Sequence, residues 1–266
     1  MVSELASVRP RTSPIAGWRD VATAPLRGLW SLVLLLVLWD LYVRVQGFNV
    51  IVLPDPMAVA KAIGADWRTY LEKLGLTMRA AVIGLLLGTL LGTVVAIIAW
   101  SSRIASGIVA PMAIAVRSIP FIVFIPILSR LMGYNERMEI VVVTLLSFFP
   151  SFVLVSSGLS GLPQAASDLS RVFGATRWRK LVLIAFPAAL PKLFTSIRLS
   201  ASRAVLGAMV AEFLTGLDGL GRLFLLARGE LEAERALAAA VVAAIAALLL
   251  FHVAEWAERQ VARRMT

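Results

Sequence analysis

Residues 80–102 read AAVIGLLLGTLLGTVVAIIAWSS and contain no charged side chain. About 20 consecutive apolar residues are enough for a helix to cross the roughly 30 Å hydrocarbon core of a bilayer. Residues 140–167 are also uncharged, and residues 236–254 contain only the neutral His252. These three stretches predict an all-α, polytopic membrane protein.

The overall composition points the same way. The chain of 266 residues is 59% hydrophobic and 16% charged, whereas soluble domains are about 45–50% apolar and about 25% charged. A water-soluble core cannot hide this much apolar surface behind so thin a polar shell. The composition therefore excludes a soluble enzyme, a disordered chain and a disulfide-stapled secreted domain.

The charge and cysteine counts narrow the classes of site. Lys and Arg number 26 against 16 Asp and Glu, a net charge of +10. In a membrane protein such an excess orients the chain, so we expect no nucleic-acid partner. The absence of Cys excludes disulfides and thiol catalysis, and a single His, His252, argues against a metal site. No catalytic or metal-binding residue is predicted.

Three further apolar segments bring the prediction to six transmembrane spans. They are residues 28–45 with Asp40 near the end, residues 106–131 with Arg117, and residues 191–214 with Lys192, Arg198 and Arg203. The 140–167 stretch is longer than one span needs, so we expect it to include part of a loop.

The distribution of basic residues predicts the orientation. The segments that a cytoplasmic N-terminus would place inside hold more Lys and Arg than the outer ones, which predicts that both termini lie inside. Residues 1–27 have basic residues but no apolar core, which favours a cytoplasmic tail over a signal peptide. Residues 28–256 then form the membrane domain, and residues 257–266 form a cytoplasmic C-terminal tail.

One connecting segment has an amphipathic pattern. After Pro56, residues 56–75 place Val59, Ile63, Trp67 and Leu71 at four-residue intervals. This stripe predicts a short helix lying on the outer membrane interface.

Residues 161–186 predict a cytoplasmic helix–turn–helix. Pro163 suits the first turn of a helix, Gly174 suits a helix end, and Thr176 is a candidate N-cap for a second helix.

A stripe of small residues predicts close helix packing in the second span. Gly84, Gly88 and Gly92 recur every four residues, so a neighbouring helix can approach closely. The stripe fits an interface that slides or dimerises, and it also fits ordinary packing within the chain. We favour ordinary packing within the chain.

The cytoplasmic helix–turn–helix carries the most specific spacing. Residues 168–191 read DLSRVFGATRWRKLVLIAFPAALP, with an acid, a Gly six positions later and a Pro thirteen positions after that. This spacing resembles the signature loop of ABC-importer permeases. That family usually has Glu-Ala-Ala at the start, whereas this chain has Asp168-Leu169-Ser170. The resemblance implies that the ATPase-coupling residues are Asp168, Leu169, Ser170, Phe173, Gly174, Ala175, Pro187 and Pro191.

Elementary geometry gives this loop a mechanical interpretation. A short helix across the cytoplasmic face can seat in a groove of a soluble partner, and Gly174 permits a tight reversal that a β-carbon would obstruct. Pro187 and Pro191 are expected to fix where the chain re-enters the membrane. The alternative is a plain amphipathic connector.

Other stretches resemble the sulfonate, taurine and nitrate group of these permeases, so that the likeness covers about residues 50–260. They are Leu53-Pro54-Asp55-Pro56, Arg117-Ser-Ile-Pro120 with Ile125-Pro126, and Val210-Ala211-Glu212 with Gly219-Leu-Gly221. The resemblance implies a fold like that of type I ABC importers in a bacterial inner membrane. It also implies a second permease copy, identical or paralogous, two cytosolic ATPases and an external solute-binding protein.

ATP hydrolysis is expected in those separate subunits. No Gly-x-x-x-x-Gly-Lys-Ser/Thr string, which cradles nucleotide phosphates, occurs in the chain. The chain itself is therefore predicted to be no enzyme and to hold no cofactor, while ATP and Mg²⁺ bind to its partners.

Charged and aromatic residues within the spans suggest a substrate pathway. Mid-membrane cations are costly and normally face the protein interior or water. The candidates are Arg117, Phe121, Phe149, Arg203 and Glu212. For Arg203, a cationic cavity and an internal Arg–Glu pair remain open, while for Arg117 and Arg198 we favour a structural role. Phe121, Phe124, Phe148 and Phe149 either narrow a pore or pack the helices.

The resemblance implies a small anionic solute such as a sulfonate, taurine, nitrate or bicarbonate. The alternative within the group is a neutral or heteroaromatic solute such as a vitamin precursor. An ion-gradient-driven transporter would need a membrane carboxylate for coupling, and only Asp40 and Glu212, both near span ends, qualify.

Overall fold

The computed structural model describes residues 18–102, 107–108, 119–162 and 164–264, and every regular element in these ranges is a helix. The elements are α1 (Trp18–Gln46), α2 (Pro56–Ala65), α3 (Trp67–Ser101), a 3₁₀ turn (Phe121–Val123), α4 (Phe124–Met132), α5 (Glu136–Ser160), α6 (Gln164–Val172), α7 (Arg177–Lys180), a π-helical turn (Leu181–Ala185), α8 (Phe186–Thr215), α9 (Leu220–Gly229) and α10 (Ala233–Arg263).

The chain divides into two compact units, Met1–Met57 and Ala58–Thr266. The first unit is described through α1, which contains the predicted first span, residues 28–45. Near the end of α1 the Asp40 carboxylate pairs with Arg44 one turn later, at 2.8 Å.

Among the described residues of the second unit, four helical segments are long and apolar enough to cross a membrane: Trp67–Ser101, Glu136–Ser160, Arg177–Thr215 and Ala233–Arg263. They contain the predicted second span apart from Ser102, and the cores of the fourth, fifth and sixth. Of the predicted third span, residues 106–131, the structure describes mainly the short apolar helix Phe121–Met132. Arg117 lies outside the described residues.

Two boundaries differ from the sequence prediction. The stripe over residues 56–75 is not one helix, because α2 ends at Ala65 and α3 begins at Trp67. The Asp66 carboxylate accepts a hydrogen bond from the Thr69 hydroxyl at 2.7 Å, beside this break. An apolar repeat of four residues continues across the junction, so the pattern alone does not reveal it.

The helix that contains the predicted fifth span begins before the prolines. The helix runs from Arg177 to Thr215 through both Pro187 and Pro191. A proline removes one backbone hydrogen bond and crowds the preceding turn, and here the π-helical turn Leu181–Ala185 lies just before Pro187. At the standard rise of 1.5 Å per residue, the segment is about 58 Å long and exceeds a bilayer core of about 30 Å.

Small residues hold the second unit together. The three glycines Gly84, Gly88 and Gly92 all lie against α5 of the same chain. A β-carbon at Gly92 would stand 2.6 Å from the carbonyl oxygen of Phe148, closer than any real contact allows. A neighbouring core cluster is rich in alanine, including Ala80, Ala201 and Ala204. The backbones of α3, α5 and α8 therefore approach one another closely.

Candidate functional site

A cavity of about 500 Å³ opens between the segment around α4, helix α5 and helix α8. The described residues that line it are Ile119, Pro120, Phe121, Phe124, Leu145, Leu146, Phe149, Pro150, Val153, Leu154, Leu199 and Arg203. Its walls are thus apolar or aromatic, and Arg203 is the one charged side chain among these residues.

Arg203 is placed in this cavity by its position on α8. Its neighbours Ala201 and Ala204 are fully buried in the helix packing, whereas Arg203 itself is exposed. Within the described part of the chain, no acidic side chain forms an ion pair with it. An exposed cation on an otherwise apolar wall can hold an anion through charge-assisted hydrogen bonds.

Arg198, one and a half turns earlier on α8, is in a different situation. Its Nε lies 2.5 Å from the Glu258 carboxylate of α10, and its guanidinium lies 5.6 Å from the centre of the Phe251 ring. Arg198 therefore joins α8 to α10.

The structure brings together three of the five residues predicted for a substrate pathway. Phe121, Phe149 and Arg203 line one cavity. Phe124 also lines it, whereas Phe148 stacks on Phe152 in the helix packing. Arg117 lies outside the described residues, and the structure places Glu212 elsewhere.

Glu212 lies in the packed interior near the end of α8 and is fully buried. Its Oε1 accepts a hydrogen bond from the Thr77 hydroxyl at 2.7 Å, and its Oε2 accepts one from the backbone N–H of Gly221 at 2.7 Å. The carboxylate thus meets the first turn of α9, where unsatisfied N–H groups and the helix dipole favour a negative charge.

Sequence reasoning missed Glu139, which lies beside Glu212 and is 4% exposed. Its Oε1 has no hydrogen-bond partner among the described residues. The predicted fourth span begins at residue 140, just after this acid. The sequence signal that could have identified Glu139 is its place as an acid at the edge of a long apolar run.

The loop predicted for ATPase coupling forms a helix, a reversal and a second helix. Gly174 adopts a left-handed conformation with φ of 59°, and the N–H of Ala175 donates to the Ser170 carbonyl at 2.9 Å, which closes the end of α6. The Thr176 hydroxyl accepts from the N–H of Arg179 at 3.3 Å and caps α7. The predicted helix end at Gly174 and the predicted N-cap at Thr176 are confirmed.

The surface of this loop is apolar and basic. Phe173 and Trp178 are 78% and 69% exposed. Asp168 is exposed, Ser170 is buried, and the side chain of Leu169 and all of Pro163 lie outside the described residues. Arg177 donates to the carbonyl of Ser101 at 2.9 Å, which ties the loop to the end of α3.

Nothing in the described ranges resembles a metal centre, since no three His, Asp or Glu side chains come close enough to hold an ion.

Residues 84–266 match the family described as binding-protein-dependent transport system inner membrane component. A probable ABC transporter permease protein of Haemophilus influenzae is 29% identical over 231 residues, covering 87% of this chain and 94% of that protein. The formylaminopyrimidine transport permease protein ThiX of Halalkalibacterium halodurans is 30% identical over 190 residues, covering 71% of this chain and 75% of that protein. A putative aliphatic sulfonates transport permease protein, SsuC of Bacillus subtilis, is 24% identical over 258 residues, covering 92% of this chain and 91% of that protein.

Two solved structures share the fold. A chain of the inward-facing MetNI methionine ABC transporter superposes with a TM-score of 0.62 at 20% identity, covering 76% of this chain and 97% of that one. A chain of a bacterial ABC transporter for the polysaccharide alginate superposes with a TM-score of 0.62 at 14% identity, covering 91% of this chain and 98% of that one.

Proposed function

Because the chain belongs to the family of binding-protein-dependent transport system inner membrane components and is an ABC-importer permease, we propose that the cavity around Arg203 is its translocation pathway. The proposed solute is a small anion, such as a sulfonate, taurine or nitrate. The observation that carries this proposal is Arg203, an exposed cation without an acidic partner in the described chain, on an otherwise apolar cavity wall.

The proposed topology has six spans with both termini in the cytoplasm of a bacterial cell, in its inner membrane. Residues 1–27 and 257–266 are the cytoplasmic tails, residues 28–256 form the membrane domain, and residues 161–186 form the coupling loop. In support, the basic cluster Arg177, Arg179 and Lys180 lies at the end of Arg177–Thr215 that this topology places inside.

The proposed energy source is a pair of cytosolic ATPase subunits that bind ATP and Mg²⁺, while this chain holds no cofactor. The exposed Phe173 and Trp178 offer apolar side chains that a groove of such a partner can bury. Asp168 and Gly174 belong to the same contact segment. An external solute-binding protein and a second permease copy complete the assembly.

One continuous helix supports a mechanical link between the ATPase contact and the cavity. Arg177 and Arg203 lie in the same helical segment, about 39 Å apart along its axis at 1.5 Å per residue. Movement of α7 by the ATPases would therefore carry the cavity wall with it, exposing Arg203 first to one side and then to the other.

A second candidate solute is a neutral or heteroaromatic compound. The observation that favours it is the relative of Halalkalibacterium halodurans, which is named as a formylaminopyrimidine permease. The cavity walls, apolar except for Arg203, are compatible with such a ring.

Reconstitution tests the proposal. The permease is placed in proteoliposomes with its ATPase subunits and binding protein, and uptake of labelled taurine, nitrate and an alkanesulfonate is followed. ATP-dependent accumulation of an anion is the expected result. Accumulation driven by an ion gradient without ATP would overturn the proposal, and ATP-driven uptake of neutral solutes alone would favour the second candidate.

A further inference from the structure

Glu212 connects α3, α8 and α9 through one buried carboxylate, and Glu139 of α5 lies beside it. Glu212 lies on α8, it accepts the Thr77 hydroxyl of α3, and it accepts the N–H of Gly221 in the first turn of α9. Thr77 in turn accepts the N–H of Leu220 at 3.0 Å. The backbone N–H groups of Leu220 and Gly221 at the start of α9 therefore donate to two side chains, Thr77 of α3 and Glu212 of α8.

The turn before α9 is shaped to fit this carboxylate. A β-carbon at Gly219 would overlap the Glu212 side chain, with Oε2 only 2.5 Å away. A β-carbon at Gly221 would stand 2.7 Å from the backbone nitrogen of Phe213. Real β-carbons do not approach other atoms so closely, so the glycines let the turn close directly on the acid.

A surface ion pair reinforces the same junction. Lys73 of α3 donates to the carboxylate of Asp218 in the turn at 2.8 Å. The contact is partly exposed and adds little by itself. Together with the buried hydrogen bonds, it leaves the turn fixed to α3 on one side and α8 on the other.

We infer that Glu212 is a positioning residue that makes α9 and its leading turn move as one body with α8, so that a partner docking at α9 shifts the helix that carries Arg203. The inference rests on the proposed function, whose topology places the Thr215 end of α8 and the following α9 on the side of the membrane that faces the external binding protein. Arg203 and Glu212 lie nine residues apart on one helix, or about 14 Å at 1.5 Å per residue. A rigid junction at Glu212 therefore passes a displacement of α9 directly to the cavity wall.

A distance measurement tests the rigid junction without any ligand. The chain has no cysteine, so Leu226→Cys on α9 and Leu206→Cys on α8, both exposed, can carry a unique pair of spin labels. In the full-length chain in nanodiscs we expect one narrow distance distribution. Glu212→Ala should broaden it at least twofold, Glu212→Gln should restore most of the narrow component, and Asp218→Asn should change it little. An unchanged distribution in Glu212→Ala would overturn the inference.

ATPase activity tests the consequence for coupling. In the reconstituted complex, Glu212→Ala should keep basal ATPase activity within about twofold and lose most of the stimulation by loaded binding protein, and Glu212→Gln should recover it. Full stimulation in Glu212→Ala despite a broadened distance distribution would show that Glu212 only stabilises the fold, and it would overturn the inference.

A wild-type complex with neither ATPase stimulation nor ATP-driven uptake would instead overturn the proposed function, together with the coupling role of Glu212. The spin-label distances would still decide whether the junction is rigid.

Discussion

The carboxylate of Glu212 and the backbone N–H of Gly221 form a hydrogen bond of 2.7 Å in a fully buried setting. A buried carboxylate needs such donors, because an unsatisfied ion in an apolar interior costs several kcal/mol. The relationship explains why an acid stands near the end of a membrane helix without lining the cavity. It also explains the Gly219-Leu-Gly221 sequence, which forms the turn that closes on Glu212.

Replacing Gly221 should destabilise this junction. In Gly221→Ala the new β-carbon would meet the carbonyl oxygen of Met209 and the nitrogen of Phe213, and overpacking of this kind costs about 1–3 kcal/mol. We expect a lower thermal unfolding temperature for the purified chain in detergent. Gly229→Ala, at the other end of α9 with nothing within 4 Å of the added carbon, is the matched control. Equal unfolding temperatures for the two variants would contradict the close fit.

The packing of α3 against α5 should depend on Gly88. A β-carbon there would lie 2.7 Å from the Cβ of Ser147 and even closer to the Thr144 carbonyl, so Gly88→Ala must push the helices apart. We expect a fall in unfolding temperature and in the yield of folded protein. Gly75→Ala on the same helix adds its carbon to open space and should stabilise the chain by about 0.5–1 kcal/mol, because alanine favours a helix. A Gly88→Ala variant as stable as Gly75→Ala would show that the helices do not pack as described.

Removing the charge of Arg203 should weaken anion transport selectively. Arg203→Met keeps a long apolar side chain but loses a charged hydrogen bond worth about 1.5–3 kcal/mol, which corresponds to roughly tenfold or more in apparent affinity. Arg203→Lys keeps the charge and should retain most of the uptake. Initial rates of ATP-dependent uptake against solute concentration measure the effect. Unaltered anion uptake by Arg203→Met would show that Arg203 does not contact the transported anion.

The reversal at Gly174 should matter for energy coupling. Its φ of 59° lies in the left-handed region, where an ordinary L-residue costs about 1–2 kcal/mol. We expect Gly174→Val to distort the loop and uncouple ATP hydrolysis from uptake, while Gly174→Asn, which tolerates this conformation, keeps most of the coupling. The measurement is the number of solute molecules imported per ATP hydrolysed. Normal coupling in the Gly174→Val complex would indicate that the loop is a plain connector with no role in energy coupling.

The sequence predicted the long apolar helices because their signal is local. Residues 80–102 and 236–254 each lie within one helix of the structure apart from Ser102, and hydrophobicity over some 20 residues suffices to identify such a helix. The cap at Thr176 and the reversal at Gly174 were equally predictable, since each depends on a few neighbouring residues.

Contacts between distant segments were harder to predict. Glu212 was grouped with Arg203 because both are charged and lie on one helix, but the hydrogen bond to Thr77 spans 135 residues of sequence and has no local signal. The break at Asp66 was missed because the apolar repeat continues across it. Pro187 and Pro191 were expected to mark where the chain re-enters the membrane, and the helix that contains them already begins at Arg177, with a π-helical turn before Pro187.

In the proposed transport cycle, the cavity beside Arg203 opens to water from alternate sides of the membrane. In the cysteine-free chain, Leu199→Cys lines this cavity with Arg203 intact, and Leu206→Cys, on the same helix and also exposed, is absent from the lining. The complex in sealed proteoliposomes is treated with a membrane-impermeant thiol reagent from one side, with and without ATP and vanadate. Leu199→Cys is expected to react from the ATPase side without nucleotide and from the opposite side in the trapped state, while Leu206→Cys is expected to react in neither state. Equal, nucleotide-independent labelling of the two positions, or no labelling of Leu199→Cys, would contradict this cycle.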